Sequence, residues 1–449
     1  MKRTLSILLA AMFFAFACTH QPAETGTEQV VDVQSSQKKS EMTKFINPVF
    51  NDTSAEDNRR FKEEFGVASS LSANPTAAWF HDFTSRALPT AVVPRRQPTM
   101  NLQSEIIPAI GKVIATTSLG EMDLNAFLNN PESFAQGFVV MHKGKIVFEQ
   151  YPGMRKENSH LTASTAKVFV GLLIECLIEE GLIDEQKTLG DYVPEFKESV
   201  WEPIKVIDVM DMTTGLDPID GPEHFVNPDA VITRMVMAEL GETYKGNVES
   251  MLDVMKHAKT ISKPGEHFTY SSTATQALVV LTEAVTKQTW ADAFDQRIWS
   301  KMGVDGPLMV HLSPDGYALG HGVLSLRLRD LARFGMLYTP SWYKIAVEPI
   351  VNPDILERAR VPYRTREFYR AGPSGEKFME RLGDFDVRSA GRQWDAVWED
   401  GDFFKSGLNT QGIYVSPDRD LVIAYFSLEP TQQLQKYLRP LVTSGLFDQ

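Results

Sequence analysis

Val168, Phe169, Val170, Leu172, Leu173, Ile174, Leu177 and Ile178 form a run that is apolar on nearly every side. A surface helix carries one apolar stripe, so a helix apolar all round has to be enclosed by other elements. The chain must build layers about this segment, and Gly181 offers it a C-terminal stop. Directly before the run stands Thr162-Ala163-Ser164-Thr165-Ala166-Lys167. Residues three apart at a helix start share a face, with β-carbons roughly 5–6 Å apart, so the Lys167 amine can reach the Ser164 hydroxyl. A serine hydroxyl is a weak nucleophile until a neighbouring base or strong field activates it, and Lys167 can supply that field. With Thr162 or Ala163 near the cap, Ser164 also meets the positive end of the helix dipole. S-x-x-K alone arises by chance in many chains, so the reading depends on companions elsewhere.

The 449 residues could hold two or three domains or one large α/β unit, and 43% hydrophobic with 23% charged residues is ordinary for a soluble globular protein. A net charge of -13 argues against a nucleic-acid partner, which needs a basic face. The start is different in kind. Met1-Lys2-Arg3 is basic, Leu5 to Ala17 is apolar, and Ala15-Phe16-Ala17 is an A-x-A cleavage pattern, so residues 1–17 read as a signal peptide. The segment is too short for an ordinary membrane span. Cys18 follows directly, and the arrangement resembles a bacterial lipoprotein signal, which implies lipidation of Cys18 and a membrane tether. The other cysteine, Cys176, lies in the apolar run and reads as a small core residue.

Residues 18–100 read as a tether and N-terminal extension: polar to about Thr43, then with Phe61, Phe65, Trp79, Phe80 and Phe83 forming short elements packed on the main body. Residues 137–141 and 145–149 predict a hairpin about Lys143-Gly144. His160, four residues before Ser164, invites a Ser-His pair, but no G-x-S-x-G elbow occurs in the chain. Between about 184 and 338 helical patterns and loops dominate, suggesting an inserted helical subdomain. Within it Tyr270 precedes the helical run Ala274 to Val285 and is placed to enter a cleft. A phenol near pKa 10 is a poor base at neutral pH, but flanking ammonium groups would lower that value. The arginines of 327–333 read as a solvated or salt-bridged helix face outside the site. Near the C-terminus, Asp402–Gly407 precedes a hairpin, which puts Lys405 on a strand edge and lets substrate approach Gly407. The amides of Ser164 and Leu408 could then form an oxyanion hole.

The order S-x-x-K, Tyr270-Ser271-Ser272, Lys405-Ser406-Gly407 resembles the serine β-lactamase and penicillin-binding family on its class C side, which includes esterases and 6-aminohexanoate-dimer hydrolases. Met212-Thr213-Thr214-Gly215-Leu216, Pro264-Gly265, Arg329–Gly335 and Gly412–Pro417 fit the same context. The resemblance implies an α/β fold: an antiparallel sheet flanked by helices on both faces, over residues 101–449, with the site at the boundary of the helical subdomain. It implies that Ser164 is acylated, that Lys167 and Tyr270 activate it, and that Lys405 supports Tyr270 and the substrate. It also places Ser272, Ser406 and Gly407 on the substrate. Ser272 stands where β-lactamases carry Asn, which turns the expectation toward the amide-oligomer hydrolase and esterase branches.

The sequence therefore predicts an exported, cell-envelope or periplasmic serine hydrolase acting on a small amide or ester. No metal is expected, because the nine histidines form no H-x-H or H-E-x-x-H pattern, and no cofactor is called for. The alternatives are a β-lactamase or peptidoglycan peptidase, and a non-catalytic sensor lipoprotein with this fold.

Overall fold

The structure, a computed structural model, describes residues 53–70, 74–372, 374–382 and 387–447. The expected leader, Cys18 and the polar tether lie outside the described residues. In chain order, α1 (Ala55–Glu64) and α2 (Pro75–Ala87) are capped by Ser54 and Asn74, whose side chains accept from the Asp57 and Ala77 amides. Strand β1 (Thr90–Val93) follows, then the hairpin of β2 (Ala135–His142) and β3 (Lys145–Gln150). Lys143 and Gly144 turn it with φ of 49° and 71°, the left-handed geometry a tight antiparallel turn requires. Strand β4 (Ser159–Leu161) delivers the chain to a 3-10 turn, Ala163–Ala166, and to α3 (Lys167–Glu179). Next come α4 (Val231–Leu240), α5 (Ser272–Thr286), β5 (Leu308–His311), β6 (Leu324–Arg327), α6 (Leu328–Met336) and α7 (Gly375–Leu382). The chain closes through β7 (Val387–Gly391), β8 (Trp394–Trp398), β9 (Phe403–Gly407), β10 (Gln411–Ser416) and β11 (Leu421–Ser427).

The main sheet has seven strands in the order β7-β8-β9-β10-β11-β2-β3, with neighbours antiparallel. Its strands are apolar at successive positions, so both faces are buried. Val139, Met141, Ile413, Val422 and Ala424 pack on one side with α3 and α6, while Phe138, Val140, Tyr414, Ile423 and Tyr425 pack on the other with Leu434, Leu438 and Leu441. The two sets alternate along each strand, as a period of two dictates. This is the β-lactamase/transpeptidase type of fold, an antiparallel sheet with helices on both faces. Residues 167–177 of α3 are all buried, and Phe169 stacks on Phe334 of α6 with ring centroids 4.0 Å apart. Gly181, at φ 71°, ends the segment.

Three local expectations change. The stretch 184–338 contributes strands as well as helices: β5 and β6 join β1 and β4 in a four-stranded sheet ordered β1-β5-β6-β4. Each is only four residues long and finds its partners far away in sequence, Thr90 opposite His311, so no local pattern announces them. Of the arginines of 327–333, Arg329 is salt-bridged to Glu149, Arg327 donates to the Asp305 carbonyl, and Arg333 is not solvated but buried between Asp305 and Asp330. Lys405 is not on a sheet edge, because β9 lies between β8 and β10. Pairing with β8 stops at Phe404, however, and beyond it the Asp395 side chain takes over. Cys176 is buried, and burial pushes its thiol up to about 12. Among the described residues no helix is long and apolar enough to cross a membrane.

Candidate active site

Four elements converge behind the Ser164 turn. Ser164 sits on the 3-10 turn rather than inside the helix, and Lys167 is the first residue of α3. The three-residue spacing still brings them together: Lys167 Nζ lies 3.0 Å from Ser164 Oγ. The same amine lies 2.9 Å from Ser272 Oγ and 2.6 Å from the carbonyl oxygen of His321. Ser271 caps α5, accepting from the Ala274 amide, which leaves Tyr270 just outside the helix. Tyr270 is further held by its own amide, which donates to Ser374 Oγ at 3.0 Å. From β9, Lys405 Nζ donates to the Tyr270 hydroxyl at 2.8 Å. Lys167 and Lys405 flank the Tyr270 ring at 5.2 and 4.7 Å from its centroid.

Burial sets the protonation pattern. Both lysines are fully buried. Removal from water brings the Lys167 amine down to about 7, with Asp220 opposing the shift and Lys405 adding to it. Lys405 is lowered too, again by burial, against the pull of Asp395. Tyr270 runs contrary to expectation. Burial holds the phenol well above its ordinary value, and Asp395 and Asp220 push it the same way, against a smaller opposing pull from Ser164 and Arg381. At neutral pH the phenol is a proton donor, and the group poised to accept a proton is Lys167.

Those two carboxylates were not read from the sequence. Asp395 is buried on β8; its Oδ1 accepts from Lys405 Nζ at 2.5 Å, and its Oδ2 accepts from the Ser406 amide at 2.8 Å and from Ser406 Oγ at 2.5 Å. A lone acid in Trp394-Asp395-Ala396-Val397-Trp398 was the available signal, because a charge in an apolar strand needs a partner. Asp220, on the loop before α4, accepts from the Ser272 amide at 2.8 Å and from Ser272 Oγ at 2.5 Å. Its amide in turn donates to the Tyr270 carbonyl at 3.0 Å. Nothing local marks it.

Ser272 and Ser406 were expected on the substrate side, but both are buried and their hydroxyls serve Asp220 and Asp395. Gly407 packs against the Ser164 turn: a β-carbon there would stand 2.8 Å from the Thr162 carbonyl oxygen and 3.1 Å from the Ala163 β-carbon. Ser164 and Leu408 are partly exposed on an otherwise buried floor. His160 lies apart, stacked on Phe426 at 4.6 Å with Nδ1 against the Leu161 carbonyl.

A serine hydroxyl beside a buried amine of lowered pKa, against the central strands of a two-faced antiparallel sheet, defines a serine hydrolase of the β-lactamase type. The chain belongs to the beta-lactamase family, whose profile matches residues 135–444. The 6-aminohexanoate-dimer hydrolase of Paenarthrobacter ureafaciens is 25% identical over 363 residues, covering 79% of this chain and 86% of the relative. Among solved structures, a Bacillus anthracis protein named as a candidate 6-aminohexanoate-dimer hydrolase superposes with a TM-score of 0.69 at 22% identity, over 84% of this chain and 94% of that one. A penicillin-binding protein homologue from Caulobacter crescentus gives 0.51 at 14% identity, over 72% and 96%. These structural likenesses show the fold.

Proposed function

We propose that this family member is an exported hydrolase that cleaves a small amide or ester through an acyl-enzyme on Ser164. The observation that carries the reading is the 3.0 Å approach of a fully buried lysine amine, lowered to about 7, to the Ser164 hydroxyl. In the acylation step Lys167 takes the Ser164 proton and Oγ bonds to the substrate carbonyl carbon. The carbonyl electron pair moves to oxygen, where the Ser164 and Leu408 amides receive the charge. On collapse the bond to the leaving nitrogen or oxygen breaks. That atom takes a proton from Tyr270, and the Lys167 ammonium makes good the loss. Water then repeats the sequence on the ester carbonyl and frees Ser164.

A linear amide or an ester is favoured over a β-lactam. Ser272 is committed to Lys167 and Asp220, so it presents no side-chain amide to a β-lactam substituent. The named activity of the Paenarthrobacter relative supports an ω-amino-acid amide. Export to the periplasm or cell envelope, with a lipid on Cys18, is part of the proposal and rests on the leader Met1–Cys18. Intact-mass spectrometry after exposure to a short-chain ester, a 6-aminohexanoate amide and a penicillin tests the substrate class. Transient adducts with turnover of the first two support it. Turnover of penicillin alone favours a β-lactamase or peptidase, and a lasting adduct with every compound favours a sensor.

A further inference from the structure

The carbonyl that holds Lys167 belongs to an unusual loop. His321 lies between Gly320 and Gly322, whose backbones have wide conformational freedom. The loop threads a narrow slot: a β-carbon on Gly320 would stand 2.8 Å from Val170 of α3 and from Val279 of α5. One on Gly322 would lie 3.9 Å from the Ser164 amide nitrogen. The His321 side chain ties this carbonyl to a third element, with Nε2 donating to Glu239 Oε1 of α4 at 2.9 Å. Glu239 is 2% exposed and His321 8%. A buried carboxylate with a single imidazole partner is costly to lose, so the bond fixes the histidine in place.

We propose that Glu239 and His321 are positioning residues for the reaction on Ser164: the buried pair anchors the His321 carbonyl, and so aims the Lys167 amine at the serine. The proposal rests on the function argued above. Glu239 also bears on Lys167 by charge. The charged or titratable groups facing that amine are Asp220 from the loop before α4, Lys405 of β9, Asp395 of β8, Tyr270 ahead of α5, and Glu239 of α4. Glu239 favours the ammonium form, so removing its charge moves the protonation of Lys167 to lower pH.

Glu239→Gln keeps an acceptor for His321 without the charge, and Glu239→Ala removes both. The full chain is assayed with p-nitrophenyl butyrate from pH 5 to 9, with circular dichroism confirming the fold. Glu239→Gln should keep the plateau of kcat/KM within about threefold while its acid limb moves to lower pH. Glu239→Ala should lose at least about tenfold in kcat with little change in KM, as the unanchored carbonyl lets the amine drift. A folded Glu239→Ala with wild-type kcat overturns the proposal, as does an acid limb in Glu239→Gln that coincides with wild type. Where Glu239→Ala fails to fold, the limb of Glu239→Gln decides alone. A wild-type chain with no Ser164-dependent hydrolysis sinks the function itself, a result separable from either of these.

Discussion

Lys167 and Ser164 are joined in one direction only when the amine is neutral. The Ser272 hydroxyl gives its proton to Asp220 and must accept from Lys167, and the His321 carbonyl can only accept. A neutral amine has two N–H bonds and one lone pair, so those acceptors use both donors. The lone pair is left for the Ser164 proton at 3.0 Å. With the amine neutral, serine is therefore the donor, whereas the ammonium, with three N–H bonds, donates to all three oxygens.

That arrangement fixes the pH profile. In the proposed mechanism Lys167 has to be neutral to act, and its amine is lowered to about 7. Below that value kcat/KM for a neutral ester should fall about tenfold per pH unit, and above it the rate should level off. Tyr270 is held well above its ordinary value, so the plateau should extend to about pH 10. Stopped-flow hydrolysis across pH 5 to 10 checks the acid limb and the plateau. A flat profile through 7 would falsify the lysine assignment.

Asp220→Asn removes the largest charge opposing the lowered pKa of Lys167. The acid limb should move to lower pH. The plateau should also drop by about tenfold, because Asn cannot hold the Ser272 hydroxyl as a pure acceptor. Titration of the rate in wild type and variant separates the two effects.

Asp395→Asn leaves the fully buried Lys405 without its counter-charge. Breaking a buried ion pair from one side costs about 3–5 kcal/mol, so denaturant unfolding should show a loss of that size. Acylation should slow as well, since Lys405 holds the Tyr270 hydroxyl. A variant as stable as wild type would mean that the pair is not closed in solution.

Gly407→Ala tests how tightly the β9 end abuts the Ser164 turn. The added methyl would meet the Thr162 carbonyl oxygen at 2.8 Å, so the turn has to shift. We expect at least about a tenfold loss of kcat, with destabilisation of about 1–3 kcal/mol by calorimetry.

The sequence exposed what is local and hid what is built by assembly. Ser164 and Lys167 were legible because three residues along a turn fix their distance, Tyr270 because it stands just before a helix, and Lys405 through the Lys405-Ser406-Gly407 pattern, although it lies mid-strand in β9. Strands β2, β3, β10 and β11 declared themselves by β-branched runs around tight turns. Asp220 and Asp395 were not legible as site members, since their roles come from approaches across 52 and 10 positions to Ser272 and Lys405. The direction of the Tyr270 shift was misread because the sequence shows the lysines but not the burial of the phenol, nor the two carboxylates that add to it.

The most direct measurement is the fate of Ser164 itself. Peptide mapping after treatment with a fluorophosphonate ester should find one modification, on Ser164, formed faster above pH 7 than below it, and absent from a folded Ser164→Ala variant. Modification of another residue, or undiminished labelling of that variant, would contradict the account.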